Sequence, residues 1–332
     1  MKILYSAGNR SGASLLLKEF MDNCPFDLKV AGYDSSIINL DWTLNAVRNK
    51  YSRLNHGEFN SILDSSWVPL MDTDIGKKLL DDVNDWDPDL VICDYEGFIA
   101  NIASGLNKEL WYSSPVHLLD GFSWPTGLFR YKSLLEVDRK TIAKYPKANR
   151  YYVNSPFSLL NLPLKKGYEW LCPMGTNVSG TGDFGGICLI NNPDRISILS
   201  KILNCVNGDL TMFGTDKYDL SHLDSYLLED DYTISLENSK WLFCCGESTF
   251  ITDGLRNGLR ICVTPNLDDP EALLNGIMTK GYHLGDDLGC IELMKHISVE
   301  YIDKSYNGPK NKIYSKKVPT LLEKVVNYES ML

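Results

Sequence analysis

Short apolar runs, each closed by a polar or glycine-bearing loop and followed by a helical pattern, recur along the chain. Lys2–Ser6, Leu28–Tyr33, Leu90–Cys93 and Leu110–Pro115 are such runs in the first half. Gly186–Asn192, Leu210–Phe213, Tyr232–Ile234, Leu242–Cys245 and Arg260–Pro265 continue them in the second. Runs of this length without alternation predict strands covered on both faces, as in a parallel sheet. Between them, apolar residues at helical spacing predict helices over Leu15–Met21, Ile75–Val83, Phe98–Asn107, Arg195–Cys205 and Glu271–Thr279. Another is predicted from about Phe250, and a last one over Val318–Leu332. The alternation of strand and helix predicts an α/β fold.

The rhythm breaks once. Pro163–Gly186 holds Pro173, Gly175, Gly180, Gly182, Gly185 and Gly186 with no clear period. Two α/β domains facing each other across a cleft follow: residues 1–172, a linker at 173–185, and residues 186–317. The terminal helix at 318–332 is free to pack on either domain. Residues 34–70 are polar and aromatic, with Trp42, Tyr51, His56 and Trp67, and predict a long loop.

Composition narrows the class. The 332 residues are 44% hydrophobic and 23% charged, enough apolar material for a full core. The net charge of −10 argues against a surface that binds nucleic acid everywhere. Locally the balance reverses. Arg130, Lys132, Arg139, Lys140, Lys144, Lys147 and Arg150 face only Glu136 and Asp138, with Tyr131, Tyr145, Tyr151 and Tyr152 interleaved. Lys140, Lys144 and Lys147 are therefore candidate contacts to a polyanion, with a solvated helix face as the plain alternative. The nine cysteines include no C-x-x-C pair, and most stand in apolar runs, which suits a reducing compartment. No zinc spacing, leader-like stretch or membrane-length apolar run occurs, so a cytoplasmic protein without a bound metal is expected.

Candidate chemistry gathers where strands end. Leu242–Cys245 runs into Gly246-Glu247-Ser248-Thr249 and then a helix. A strand, a tight turn and a helix N-terminus together suit a phosphate. An ordinary βαβ unit without a ligand is the alternative. Asp94 and Glu96 follow the apolar strand Leu90–Cys93, at the end where ligands bind in a parallel sheet. Either carboxylate is a candidate general base once desolvated, or simply the cap of the next helix. His117 follows the next strand and is a third candidate base. The first βα turn, Ala7–Ser14, contains Gly8, Ser11 and Gly12 but not the full dinucleotide fingerprint.

Four of these stretches, taken together, resemble the GT-B glycosyltransferases, and among them the nucleotide-sugar-dependent group related to the enzyme that forms lipid II. They are Met1–Ser14, Asp89–Glu96, Ser114–His117, and Gly246 through Asp253, Gly254, Gly258, Pro265, Asn275 and Gly281. The resemblance implies two Rossmann-like domains. It implies a nucleoside diphosphate sugar as substrate, a UDP-sugar first, with no cofactor and no metal. Gly246, Ser248 and Thr249 would hold the diphosphate, Asp253 the ribose, and Asp268, Asp269 and Glu271 would approach the sugar. The first domain, including Gly8, Ser11 and Gly12, would face the acceptor. Transfer with inversion is implied, with Asp94 the first choice of base, then Glu96, then His117. The pattern departs at about Ala13, where the family often has histidine, and at Asp253, where it has glutamate. The acceptor stays open between a small molecule and a hydroxymethylated pyrimidine in DNA. A sugar-nucleotide epimerase and an inactive sugar-nucleotide-binding protein are the alternatives of the same architecture.

Overall fold

The computed structural model describes residues 1–8, 13–32, 39–44, 74–122, 139–140, 142–160, 162–172, 184–189, 210–212, 227–228, 236, 239–263, 265, 270–281, 285–287 and 318–331. In chain order the first half holds β1 (Lys2–Ala7), α1 (Ala13–Asn23), β2 (Asp27–Gly32), β3 (Trp42–Thr43), α2 (Asp74–Trp86), β4 (Leu90–Asp94) and α3 (Phe98–Gly105). It continues with β5 (Glu109–Ser113), a 3-10 turn (Pro115–His117), the single turn α4 (Leu118–Gly121), β6 (Arg150–Asn154), a second 3-10 turn (Pro156–Leu160) and β7 (Tyr168–Leu171). The second half holds β8 (Phe184–Leu189), β9 (Leu210–Met212), β10 (Leu227–Leu228), β11 (Ser239–Cys244), α5 (Ser248–Asn257), β12 (Arg260–Val263), α6 (Pro270–Gly281) and β13 (Gly285–Asp287). The helix α7 (Leu321–Glu329) follows.

Two sheets form. The first has the order β3-β2-β1-β4-β5-β6-β7 and the second β10-β9-β8-β11-β12-β13, and every ladder in both is parallel. In each, the chain steps outward in one direction, returns to the middle, and steps out the other way. The reversal falls between β1 and β4 in the first sheet and between β8 and β11 in the second. Such switch points open a crevice at the C-terminal ends of the strands, where ligands of doubly wound sheets bind.

The apolar runs behave as their length implies. β4 is buried at all five positions and β11 throughout its described side chains from Trp241 to Cys244. α5 lies tight on its sheet because Gly254 has no side chain. A Cβ there would stand 2.8 Å from Ile261 and 2.9 Å from Leu242. The helix stops at Gly258, whose φ of 72° is the left-handed conformation that ends helices cheaply.

Several boundaries differ from the sequence expectation. α5 begins two residues earlier than predicted, at Ser248. β7 lies inside the stretch read as irregular, and β8 begins at Phe184, within the span read as linker. The predicted helix 195–205 and strand 232–234 lie outside the described residues, as does most of the loop at 34–70.

α7 packs on the first sheet. Val325 is fully buried with Ile3, Tyr5, Ile92, Trp111 and Tyr152, and Tyr328 meets Trp111 edge-on at 5.1 Å. Its start is fixed by a reciprocal cap in which Thr320 and Glu323 each accept the other's backbone N–H. Just before it, Cys172 N donates to Pro319 O, and Lys324 pairs with Glu169 on β7.

Candidate active site

The β11–α5 turn has a defined shape. Gly246 adopts φ +101°, and a Cβ on it would fall 2.7 Å from the carbonyl oxygen of Ala272. Only glycine lets this turn press against the first turn of α6. The side chain of Asn275, one turn into α6, donates from Nδ2 to Gly246 O at 2.8 Å and to Ser248 Oγ at 3.0 Å. The carboxylate Oε1 of Glu271 accepts from Ser248 N at 3.1 Å. The start of α5, the turn before it and the start of α6 are thereby one hydrogen-bonded unit. Glu271 and Asn275 are fully buried, and Asn275 Oδ1 has no hydrogen-bond partner among the described residues.

The other donor-side candidates are placed around this unit. Thr249 is half-buried beside Ser248. Asp253 is buried on α5, about 7.5 Å along the axis from Ser248. Asp268 and Asp269 lie outside the described residues.

The β4–α3 turn of the first sheet is the counterpart. Asp94 closes β4 and is fully buried. Tyr95 takes φ 49°, which turns the chain sharply, and Glu96 folds its carboxylate under the start of α3. Glu96 Oε1 accepts from Phe98 N at 2.6 Å, and Oε2 accepts from Ile99 N at 2.8 Å and from Ser6 Oγ at 3.2 Å. Burial pushes its pKa up to about 7, although the two amides and the serine work the other way. Glu96 therefore serves as the cap of α3, and its lone pairs are largely committed. Gly8 of the first loop packs against this turn, while Ser11 and Gly12 lie outside the described residues.

His117 is the third candidate. It ends the 3-10 turn after β5, fully buried between the rings of Tyr112, 5.0 Å away, and Tyr151, 5.9 Å away. Neither ring nitrogen has a hydrogen-bond partner among the described residues. Burial alone lowers its pKa to about 3, so the imidazole is neutral at neutral pH.

The two halves meet at these turns. The 3-10 turn carrying His117 packs on α6, and the one at Pro156–Leu160 packs on α5. Val116, Leu118, Phe157 and Leu159 share one apolar cluster with Ile251, Leu255, Leu274 and Ile277. α6 is accordingly buried at every position from Glu271 to Thr279. At the far end of α5, Arg256 Nη2 stands 3.4 Å from Cys172 Sγ and draws down the carboxyl pKa of Glu19 on α1, which burial raises. The turn carrying His117, and Tyr95 between the two carboxylates, thus border the same cluster as the helices that hold the glycine turn.

Lys140, Lys144 and Lys147 are exposed, beyond β5 and before β6. Among the described residues no group of three potential metal ligands occurs, and no helix is long and apolar enough to cross a membrane. Sequence reasoning gave no role to Ser6 or Arg256. Asn275 carried a weak signal, standing four residues after Glu271 and so on the same helix face.

No family model and no curated protein matches the sequence. Solved structures do match the fold over its whole length. The spinosyn forosaminyltransferase SpnP superposes with a TM-score of 0.61 at 13% identity, covering 100% of this chain and 99% of that one. SnogD, a glycosyltransferase from Streptomyces nogalater, gives 0.58 at 14% identity with full coverage of both chains. SsfS6, a glycosyltransferase from Streptomyces sp. SF2575 solved with thymidine diphosphate, gives 0.56 at 13% identity and covers 99% of each chain. The fold is therefore that of the GT-B glycosyltransferases, with two Rossmann-like domains.

Proposed function

We propose that this protein is a glycosyltransferase that moves a sugar from a nucleoside diphosphate sugar to a hydroxyl of a small molecule. One observation carries the reading: the Gly246–Ser248 turn stands at the switch point of the second sheet, locked to α6 by Asn275 and Glu271, between two helices that pack on the other half. The amides at the start of α5 suit the diphosphate, and the helix dipole stabilises its charge as it leaves. The solved neighbour holding thymidine diphosphate supports a nucleotide in this architecture and adds TDP-sugars to the UDP-sugars first expected.

In the reaction the acceptor oxygen forms a bond to the anomeric carbon as the bond from that carbon to the diphosphate oxygen breaks. The hydroxyl proton passes to a base on the first domain. Asp94 is kept as the first candidate for that base, with Glu96 assigned to the cap of α3. A single displacement of this kind inverts the anomeric centre. Asp253 is retained as the ribose contact. The likeness to the lipid II-forming group rests on motif order alone. DNA is the less favoured acceptor, because the chain carries a net charge of −10 and one of its solved neighbours is named for transfer to a spinosyn.

The test is incubation with labelled UDP- and TDP-sugars and a panel of small hydroxylated acceptors. Transfer supports the reading. Epimer formation without transfer, or binding without turnover, replaces it with one of the two alternatives. Transfer only to hydroxymethylated duplex DNA would reverse the choice of acceptor.

A further inference from the structure

α5 is fastened to the first half at two places. Ile251 and Leu255 join the apolar cluster that the 3-10 turn at Pro156–Leu160 shares with it. In its last turn Arg256 donates from Nη2 to Cys172 Sγ at 3.4 Å. Cys172 stands just past the end of β7, and its own backbone N–H donates to Pro319 O ahead of α7 at 2.9 Å. Glu19 on α1 feels the same guanidinium: burial raises the pKa of its carboxyl, and the charge of Arg256 lowers it. α1 in turn packs on α7. One side chain of the second half thus meets the place where β7, α7 and α1 come together.

A single apolar patch fixes a separation but leaves rotation about the patch free. A second contact at the other end of a rigid helix removes that rotation. α5 has ten residues and is about 15 Å long, and its first residue, Ser248, belongs to the glycine turn. A tilt of α5 about the patch therefore carries that turn toward or away from the first sheet. We propose that Arg256 is a positioning residue: by clasping the far end of α5 to Cys172 and Glu19 it sets the angle between the two halves, and so where the donor turn stands relative to the end of β4. This rests on the glycosyltransferase reading for what the two places hold. The nucleotide is held by the second half, so its affinity does not depend on the clasp. The alignment of the anomeric carbon with the acceptor hydroxyl does, and a misplacement of about 1 Å costs on the order of 10²-fold in rate.

The experiment compares the wild type with Arg256→Met, Arg256→Lys and Glu19→Gln. Hydrogen exchange is followed at the 3-10 turns Pro115–His117 and Pro156–Leu160, which lie away from Arg256 on the first half. Calorimetry gives the Kd of TDP and UDP, and labelled UDP- and TDP-sugars with the acceptor panel give kcat. Arg256→Met should speed exchange at both turns, leave Kd level and lower kcat by about 10–100-fold. Arg256→Lys keeps the charge toward Glu19 but lacks the planar donor fork, so it should recover part of kcat. Glu19→Gln, on an exposed face of α1, should lower kcat by a smaller factor and have no further effect beside Arg256→Met. It serves if the Arg256 variants do not fold. A merely structural role would lower the yield of folded protein without splitting kcat from Kd. Wild-type exchange and kcat in Arg256→Met would overturn the inference and leave the glycosyltransferase reading standing. A fall in kcat matched by an equal loss of nucleotide affinity would also overturn it, since Arg256 would then serve the donor site itself. If the wild type transfers no sugar, the glycosyltransferase reading fails. Faster exchange in Arg256→Met then still supports the clasp, and unchanged exchange overturns it.

Discussion

The backbone amide of Gly8 donates to the carbonyl oxygen of Asp94 across 2.7 Å, joining the first loop to the strand end that carries the candidate base. No side chain fits at this junction. A Cβ on Gly8 would stand 2.3 Å from Asp94 O and 2.6 Å from Tyr95 O, both backbone atoms that cannot rotate away. Gly8→Ala must therefore push the β1 loop off β4. We expect a loss of about 1–3 kcal/mol in urea unfolding, the usual scale of overpacking. Transfer should fall with it while nucleotide affinity stays level, because the donor turn is on the other sheet. An alanine variant with unchanged stability would show that the junction is looser than described.

Asp94→Asn keeps the shape of the β4 end and removes the proton acceptor. General-base catalysis contributes about 10²–10⁴-fold, so turnover should drop by that order with little change in donor Kd. Glu96→Gln should behave differently. The amide can still accept from Phe98 or Ile99, so the effect falls on stability first. Rapid-quench rates and calorimetry on the two variants separate base from cap. Normal turnover in Asp94→Asn would remove Asp94 from the mechanism.

Much of this arrangement is legible in the chain itself. The strand ends at Asp94 and Gly246 are visible because a buried parallel strand has to be apolar, so the first polar residue after it marks the crevice. The role of Glu96 was open in the sequence, since a carboxylate two residues before a helix suits both a cap and a base, and only the bonds to Phe98 and Ile99 decide. The contact between Glu271 and Ser248 was not readable at all. The two residues are 23 apart, and a full strand and crossover bring them together. β13, three residues with two aspartates, was missed because its pairing with β12 supplies what its composition lacks. The burial of His117 was equally hidden, since it needs the ring of Tyr151 on β6, brought beside that of Tyr112 on β5 by the sheet.

The C-terminal helix invites a test of its docking. Val325 has no exposed surface and lies among residues of β1, β4, β5 and β6. Val325→Ala removes two buried methyl equivalents and leaves a cavity, which should cost about 2–3 kcal/mol. Val326→Ala, at a neighbouring position 42% exposed, should be nearly silent in the same denaturation experiment. Equal effects would mean that the helix does not sit on the sheet through Val325.

His117 and Glu96 make a pair of opposed pH dependences. The Glu96 pKa is raised from 4.5 to about 7 in the folded state. Its contribution is full below pH 4.5 and is lost as pH rises to about 7, because the unfolded chain releases that proton first. The His117 pKa is lowered from 6.5 to about 3. Its contribution is full above pH 6.5 and is lost as pH falls toward 3, because the unfolded chain takes up that proton first. Between pH 4.5 and 6.5 the two slopes have opposite signs and offset each other. The wild type should therefore show a flat stability maximum across that window. His117→Phe removes the acid-side slope and two buried nitrogens without partners among the described residues. Its stability should fall steadily from pH 4.5 to 7, and it should exceed the wild type at pH 4. Glu96→Gln should do the reverse, climbing from pH 3 to 6.5. Chemical denaturation of the three proteins at half-unit pH steps reads these slopes. If His117→Phe keeps the wild-type profile below pH 4.5, the histidine is not buried neutral, and the seam between the 3-10 turn and α6 is open to water.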